Sequence, residues 1–503
     1  VFANRLSSQI IPKTTVPLQV PSGSGVCSPE KTCADLAPGM IKSALGASPL
    51  EENLRHLTND IGGRIPGSPA NQEAVAWAES AFRSAGVSDV KLEPATLPVA
   101  WSEGSTRLTI LSGEPFPIRL VSVGWSPPTP DGGIAANVVD VGEADEPAFA
   151  RAGSNVRGAI VLVHQPLLAS AGQLLAEYER DPAVIDRSLA AGAAAILWMS
   201  DRPGALLYRH TSAPGGGVLE RIPQAIVARD DAEKIARAIA SGQPLRIRLD
   251  MPNRISGPTI INNVVAEIRG REKPDEFVLL GAHLDSWELG TGALDDGTGD
   301  AVVIDAARVI KASGTIPRRS VRFVLFNGEE QVLVGSHAYV VAHRPELDRM
   351  IAAIIFDSGD GAINGYSVAG RQDMIPALRT ALAPLAALGV TEFTDDSAIE
   401  TGNFDFLLEG VPTLLPRQEM SRYLPNYHAS SDTFDRIDVQ QLKKLSAIAA
   451  ITAFALADES QRIAPRQSRA QIEQLLQQTS LDEQMHREGF WDDWQAGRRG
   501  RAK

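Results

Sequence analysis

The sequence predicts an α/β protein, a doubly wound mixed sheet that carries a smaller inserted α+β module. Three observations lead there. After Pro258 strand-like and helix-like segments alternate at regular spacing. Between about 105 and 257 the texture shifts to short β-like runs broken by Gly and Pro turns. Acids and histidines recur where apolar runs end, the edge at which open α/β sheets gather ligands. The 503 residues allow about three domains at roughly 150 residues each. The expected division is an extended N-terminal arm over 1–38, a first part of the main domain over 39–104, the insert over 105–257, a second part over 258–464 and a helical tail over 465–503.

Residues 1–38 are rich in Pro, Ser and Thr and show little periodicity. Helical spacing begins near Leu50. Ala74, Trp77, Ala78 and Phe82 then form an i, i+3, i+4, i+8 stripe that stops at Gly86, and Val90–Pro94 reads as a strand. In the insert, strands are expected at Ile118–Val123, Asn137–Val141, Ala159–His164, Ala195–Met199, Ala225–Val227 and Leu245–Leu249, with helices at Ala183–Ala191 and Asp231–Ser241. Beyond Pro258 the strands are Asn263–Ile268, Glu276–Leu280, Ser320–Phe326, Met350–Phe356 and Val411–Leu415. The helices are Asp300–Ala312, Gly335–His343, Ile375–Leu388 and Val439–Leu456. The tail, with Trp491, Trp494 and a basic end, reads as an oligomer arm, a docking helix or a partly ordered extension.

Forty-eight basic against 61 acidic side chains leave a net charge of −13, which argues against a general nucleic-acid or anionic-membrane surface. The longest uncharged run, Gly158–Ala176, is broken by His164, Gln165, Pro166 and Gln173, so it reads as strand, turn and helix start and not as a membrane span. Cys27 and Cys33 could close a small loop in an oxidising compartment or be unrelated thiols. Val1 in place of Met fits a processed or trimmed chain, and export to a secreted or periplasmic location is the reading favoured.

Four run ends carry the chemistry. The first presents His283 and Asp285, two apart and therefore on one side of an extended chain. The second, Gly292–Gly299, holds Asp295 and Asp296 between glycines. The third delivers Glu329 and Glu330 after Phe326, and the fourth delivers Asp357 after Phe356. A further segment, Asn426–Thr433, adds His428. Each alone has an ordinary structural explanation, such as a capped helix entry for the paired aspartates. Together, two histidines and three or more carboxylates at successive strand ends make the donor set of a two-metal hydrolytic centre. Asp295, Glu330 and Asp357 would offset most of the charge of two divalent ions, and Glu329 is left to take and return a proton.

At these residues the chain resembles the zinc exopeptidase family of bacterial leucyl aminopeptidases, glutamate carboxypeptidase II and the transferrin receptor, and within it the carboxypeptidase Q branch. The resemblance spans about 45–460. It rests on Leu57–Arg64 with Gly67-Ser68, Lys91–Pro94, His283–Trp287, Ala293–Gly297, Glu329–Gln331 and Asp432-Thr433 after His428. It implies a zinc-exopeptidase domain interrupted by a protease-associated domain. It further implies two Zn2+ per chain, with Mn2+ or Co2+ as substitutes. By resemblance His283 and Asp357 hold one metal, Glu330 and His428 the other, and Asp295 bridges. Glu329 is then the general base, Asp285 the partner that orients His283, and Tyr427 either an oxyanion donor or a packing residue. The Asp295–Asp296 bond is expected to be cis.

The implied activity is metal-dependent hydrolysis of short peptides or dipeptides by aminopeptidase or dipeptidase action, with short peptides as partners and a homodimer as one assembly open to the chain. An amidohydrolase or cyclase on the same fold, or a binding protein without chemistry, stand as alternatives, since fold does not fix substrate. The full ligand set argues against the last. One departure concerns Thr401–Asp405. Where relatives place an acid after a small hydroxyl residue, Gly402 stands, and Asp405 follows three residues later.

Overall fold

A computed structural model describes residues 31–211, 216–242, 244–397, 399 and 401–502. Two sheets organise them. The larger has eight strands in the spatial order Asp89–Leu97, Thr259–Ile268, Arg319–Phe326, Lys273–His283, Met350–Ile355, Thr413–Gln418, Ile363–Ser367 and Glu392–Thr394. Its centre is parallel, with Lys273–His283 paired to Arg319–Phe326 on one side and Met350–Ile355 on the other. Both flanks contain antiparallel pairs, so the sheet is mixed. Neighbouring residues of one strand feed opposite cores, as the period of two requires. Val278 and Leu280 join the core under Cys33–Leu45, Pro69–Ser84, Thr298–Ala312 and Val439–Asp458, whereas Phe277 and Leu279 pack with Tyr339 and Phe406 on the other face. A central strand buried on both faces reads as an unbroken apolar run, which is why Phe277–Ala282 was conspicuous in the sequence.

The second sheet has seven strands, all between Arg107 and Asp250. Ile160–Val163 and Ala195–Met199 lie at its middle, with Val161, Val163, Ile196 and Trp198 in one core and Ile160, Leu162, Ala195 and Leu197 in the other. Where the chain enters and leaves this module, Ala100–Ser102 pairs antiparallel with Arg254–Ser256. Among the described residues no helix is long and apolar enough to cross a membrane.

Three differences from the sequence reading have physical causes. The extended arm of 1–38 does not reach Pro38, because a helix runs over Cys33–Leu45. Thr32 and Asp35 close a reciprocal capping box that starts it, a signal hidden in Pro- and Ser-rich surroundings. Cys27, and with it the suggested pairing to Cys33, lies outside the described residues. The helix expected at Ala183–Ala191 begins at Ala171, since the charged stretch Glu177–Asp181 and Pro182 interrupt its apolar period. The helix expected over Ile375–Leu388 stops at Ala381 and continues as a 3-10 segment at Ala383–Leu388, where Pro384 cannot donate a main-chain bond.

The tail forms three helices, Arg469–Gln478, Leu481–Glu488 and Trp491–Ala496. They fold back on their own chain. Ile472, Leu476 and Trp494 pack with Leu333, Phe404 and Leu408, and Arg499 grips the buried Asp405 carboxylate through Nε at 2.7 Å and Nη2 at 3.0 Å.

Candidate metal centre

Three adjacent parallel strands end at one edge of the larger sheet, and each delivers part of the site. Lys273–His283 ends on His283 itself, Arg319–Phe326 is followed by Glu329 and Glu330, and Met350–Ile355 by Asp357. Asp295 sits in the turn Ala293–Gly297 ahead of the helix Thr298–Ala312, next to a cis Asp295–Asp296 bond. His428 comes from the loop after Leu424–Asn426.

The five candidate ligands converge. His283 Nε2 lies 3.1 Å from Asp295 Oδ1 and 3.4 Å from Asp357 Oδ1. His428 Nε2 lies 3.3 Å from Asp295 Oδ2 and 3.0 Å from Glu330 Oε2. Asp295 thus stands between two half-sites, each of one histidine and one further acid. Glu329 lines the same cavity as His283, Asp295 and Asp357.

Asp285 meets His283 differently from the resemblance. Its main-chain carbonyl, at 3.0 Å, accepts from Nδ1, while its carboxylate is 3.8 Å from the ring. That carboxylate instead accepts from the main-chain N–H groups of Gly328, Glu329 and Glu330 at 2.8, 3.1 and 3.2 Å. One residue therefore leaves Nε2 of His283 free to face the acids and also fixes the loop that carries both glutamates.

The surrounding polar groups hold the loops. Asp296 accepts from the main chain of His283 at 3.2 Å and of Gly299 at 2.9 Å, so it caps and ties where Asp295 faces the histidines. Asp432 takes the N–H groups of Ala293, Leu294 and Asp295 at 3.1, 2.6 and 3.2 Å. Buried Arg64 donates to the carbonyls of Leu284, Thr291 and Gly292 at 2.7, 2.9 and 3.1 Å. The sequence had shown Arg64 and Asp432 only as motif members. Gly292 sits at φ 59, and a Cβ there would lie 2.3 Å from the Ser286 side chain.

The insert reaches into this edge. His428 adopts a positive φ of 56, a costly conformation for a residue with a Cβ. Main-chain bonds across to the insert hold it there, from Arg209 N to His428 O at 3.0 Å and from Ser430 N to Leu207 O at 2.9 Å. Arg202 Nη2 donates to Tyr427 O at 2.7 Å. The Tyr427 ring stacks on His428 with centroids 3.7 Å apart, and its hydroxyl lies 2.9 Å from that of Tyr178 on the helix Ala171–Ala191. Tyr178 carried no signal in the sequence, because nothing local tells a helical tyrosine that its partner lies 249 residues away. Asp405 faces away from the cavity, toward Arg499 and Ser336.

Electrostatics separates the acids from the histidines. Burial pushes the Glu330 carboxyl up to about 7 and Glu329 well above the usual range. Burial would raise Asp295 as well, but the two rings hold it below its ordinary value. His428 is raised to about 10, because the charge of Glu330 and the contact with Asp295 outweigh the burial that would lower it. His283 is raised in the same way, with Asp357 first among the acids responsible. Every ion pair these carboxylates make among the described residues is with a histidine. Among the described residues no lysine or arginine forms an ion pair with them.

The family model for peptidase family M28 matches residues 263–453. The chain is 30% identical to carboxypeptidase Q of Mus musculus over 409 residues, which cover 81% of this chain and 85% of that protein. It is 29% identical to the Homo sapiens carboxypeptidase Q over 436 residues, covering 85% and 90%. Among solved structures, a peptidase M28 precursor from Shewanella amazonensis superposes with a TM-score of 0.78 at 28% identity, covering 87% of this chain and 99% of that one. A zinc aminopeptidase from Bacillus subtilis shares the fold, with a TM-score of 0.65 at 20% identity over 85% of this chain and 97% of that one. The fold, the strand-end site and these likenesses agree, and the chain belongs to peptidase family M28 as a metallopeptidase.

Proposed function

We propose that the chain is a co-catalytic dizinc exopeptidase that cleaves short peptides or dipeptides bearing a free terminus, of the aminopeptidase or dipeptidase type. The observation that carries the reading is the convergence of His283, Asp295, Glu330, Asp357 and His428, whose ion pairs among the described residues include no lysine or arginine. The donor set fits the metals. Glu330 Oε1 is buried and accepts no hydrogen bond, and the two histidines hold protons only because the acids draw them in. His283 and Asp357 would hold one ion, Glu330 and His428 the other, with Asp295 shared, and imidazole with carboxylate suits zinc. Bound there, zinc supplies Lewis acidity toward the scissile carbonyl and lowers the pKa of water from 15.7 to about 7.

The chain's own groups do the rest. Glu329, on the loop fixed by Asp285, accepts the proton of the attacking water and returns it to the leaving amine. Burial raises its carboxyl well above the usual range, in the direction that suits a group that must take a proton and give it back. Tyr427, beside His428, donates to the oxygen that gains charge as the carbonyl is attacked. The substrate cavity, about 570 Å³, lies between the acids, Tyr423 and Met420 on one side and Leu174 and Tyr178 of the insert helix on the other. Walled by the insert, it receives one end of a chain, and its acids favour a free ammonium beside the scissile bond. The module over 105–257 serves here as a protease-associated insert.

Two measurements test this. Glu329→Gln should retain both metals and lose about 10²–10⁴-fold in turnover, whereas Glu330→Gln should lose metal. Opposite phenotypes would exchange the two roles. A free dipeptide should be cleaved in preference to its N-acetyl form, and internal cleavage of a long, doubly blocked peptide would overturn the exopeptidase reading.

A further inference from the structure

The C-terminal tail supplies part of the wall of a second cavity beside the metal centre. This cavity, about 140 Å³, opens next to Glu329, Glu330 and His428 and is bounded by Leu175, Leu333, Ile399 and Phe490, with Glu488 also at its wall. That volume suits one side chain. The tail elements are held in place. Gln484 Nε2 donates to Glu488 Oε1 at 2.8 Å, while Gln484 Oε1 accepts from Ile399 N at 3.2 Å, so one glutamine fixes two sides of the cavity. Phe490 is buried, with its ring centroid 5.5 Å from that of Phe404.

Glu488 is the one acid of this wall that lies outside the metal centre. Among the described residues no lysine or arginine forms an ion pair with it, since Arg487 turns to Glu179 and Glu483. Burial, with the Glu179 carboxylate nearby, pushes it up to about 7. A carboxylate that accepts from Gln484, feels Arg487 only at a distance and stands at apolar walls is complementary to a side chain with an aliphatic stem and a cationic end.

We propose that this cavity receives a side chain flanking the scissile bond and selects lysine or arginine there, with Phe490 against the stem and Glu488 against the cation. The inference rests on the exopeptidase reading above and assigns the tail a part in specificity.

The test compares kcat/KM for Lys-Ala and Ala-Lys with their norleucine counterparts, which keep the stem and lack the charge. One lysine dipeptide should exceed its counterpart by about 10- to 100-fold, the range of a charge-assisted bond. The preference should grow from pH 6 to pH 8 as Glu488 ionises. Glu488→Gln, near-isosteric and checked for an unchanged melting temperature, should abolish the preference and leave norleucine peptides within about 3-fold. Equal rates for lysine and norleucine at both positions, or a preference that survives Glu488→Gln, would overturn the proposal. Calorimetric binding of free L-lysine against L-norleucine separates the two readings. Lysine-selective binding that depends on Glu488, without cleavage of any dipeptide, keeps the pocket and overturns the exopeptidase; cleavage with no selectivity does the reverse.

Discussion

Among the described residues, two clusters of histidine and carboxylate behave oppositely. The first is His283, Asp295, Glu330, Asp357 and His428 at the edge of the larger sheet. The second is Glu177, Asp181 and His210 in the insert, also close enough for a shared ion. In the second, arginines stand among the acids. Arg180 pairs with Asp181 at 2.8 Å, Arg202 pairs with Asp201, and Glu177 accepts from Tyr208 and Gln165 at 3.1 and 3.2 Å. His210 stays 3.7 Å from either acid. Burial, then the charges of His428, Arg202 and Arg180, lower it to about 3, whereas His428 rises to about 10. Residue type is the same in both places. What differs is the counter-charge: arginines stand at the insert cluster, and among the described residues no lysine or arginine pairs with the acids of the first.

Metal content should break the comparison most visibly. Protein prepared without chelator should approach two equivalents of zinc, and His283→Ala or His428→Ala should each lose at least one and with it nearly all turnover. His210→Ala should keep both. Proton release sharpens the contrast. A histidine raised to about 10 is protonated at pH 7 and must release that proton to solvent when a metal takes its ring nitrogen, so apparent zinc affinity should rise with pH up to that value. Calorimetry in buffers of different ionisation enthalpy should count the same protons in wild type and His210→Ala. A lost metal or proton in His210→Ala would make the insert cluster a metal site and end the distinction.

The same contrast explains what could be read in advance. His283, the Glu329–Glu330 pair and Asp357 were legible because each comes at the end of an apolar run, and a central strand such as Lys273–His283 announces itself by burial on both faces. An unbroken apolar run likewise placed Ala195–Met199 in the insert to the residue. The strands Ile363–Ser367 and Glu392–Thr394 were missed, being short, partly polar and, in the first, interrupted by Gly365. Long-range partners were not legible either. Asp405 stood out only as an acid three residues beyond the place where relatives have one, and its buried pairing with Arg499 is set by tertiary packing across 94 residues. Tyr178 and the arginines around Glu177 belong to the same class. Their roles depend on which loop the insert touches, and no local period encodes that.

Removing the insert's own counter-charge is the next largest effect expected. Arg202→Met keeps the volume but leaves Asp201 buried without its partner and Tyr427 O without a donor. Breaking one side of a buried pair costs about 3–5 kcal/mol, and the loss should appear as a lower denaturation midpoint. An unchanged midpoint would mean that the acids there are held neutral and that the arginines do not compensate them.

The smallest expected effect is the most informative about the boundary between the two clusters. Tyr178 of the insert and Tyr427 of the metal edge share one hydrogen bond, and either hydroxyl can be its donor. If Tyr427 serves the oxyanion, Tyr427→Phe should lower kcat by about 10²–10³-fold with little change in KM, because a donor acting only in the transition state is gone. Tyr178→Phe removes the other end of the same bond and leaves the Tyr427 hydroxyl in place. It should cost only about 0.5–1.5 kcal/mol of stability and, by loosening Tyr427, a few-fold in kcat. Equal and small effects from both substitutions would reduce Tyr427 to a packing residue that stacks on His428, and the oxyanion donor would have to be sought elsewhere in the cavity.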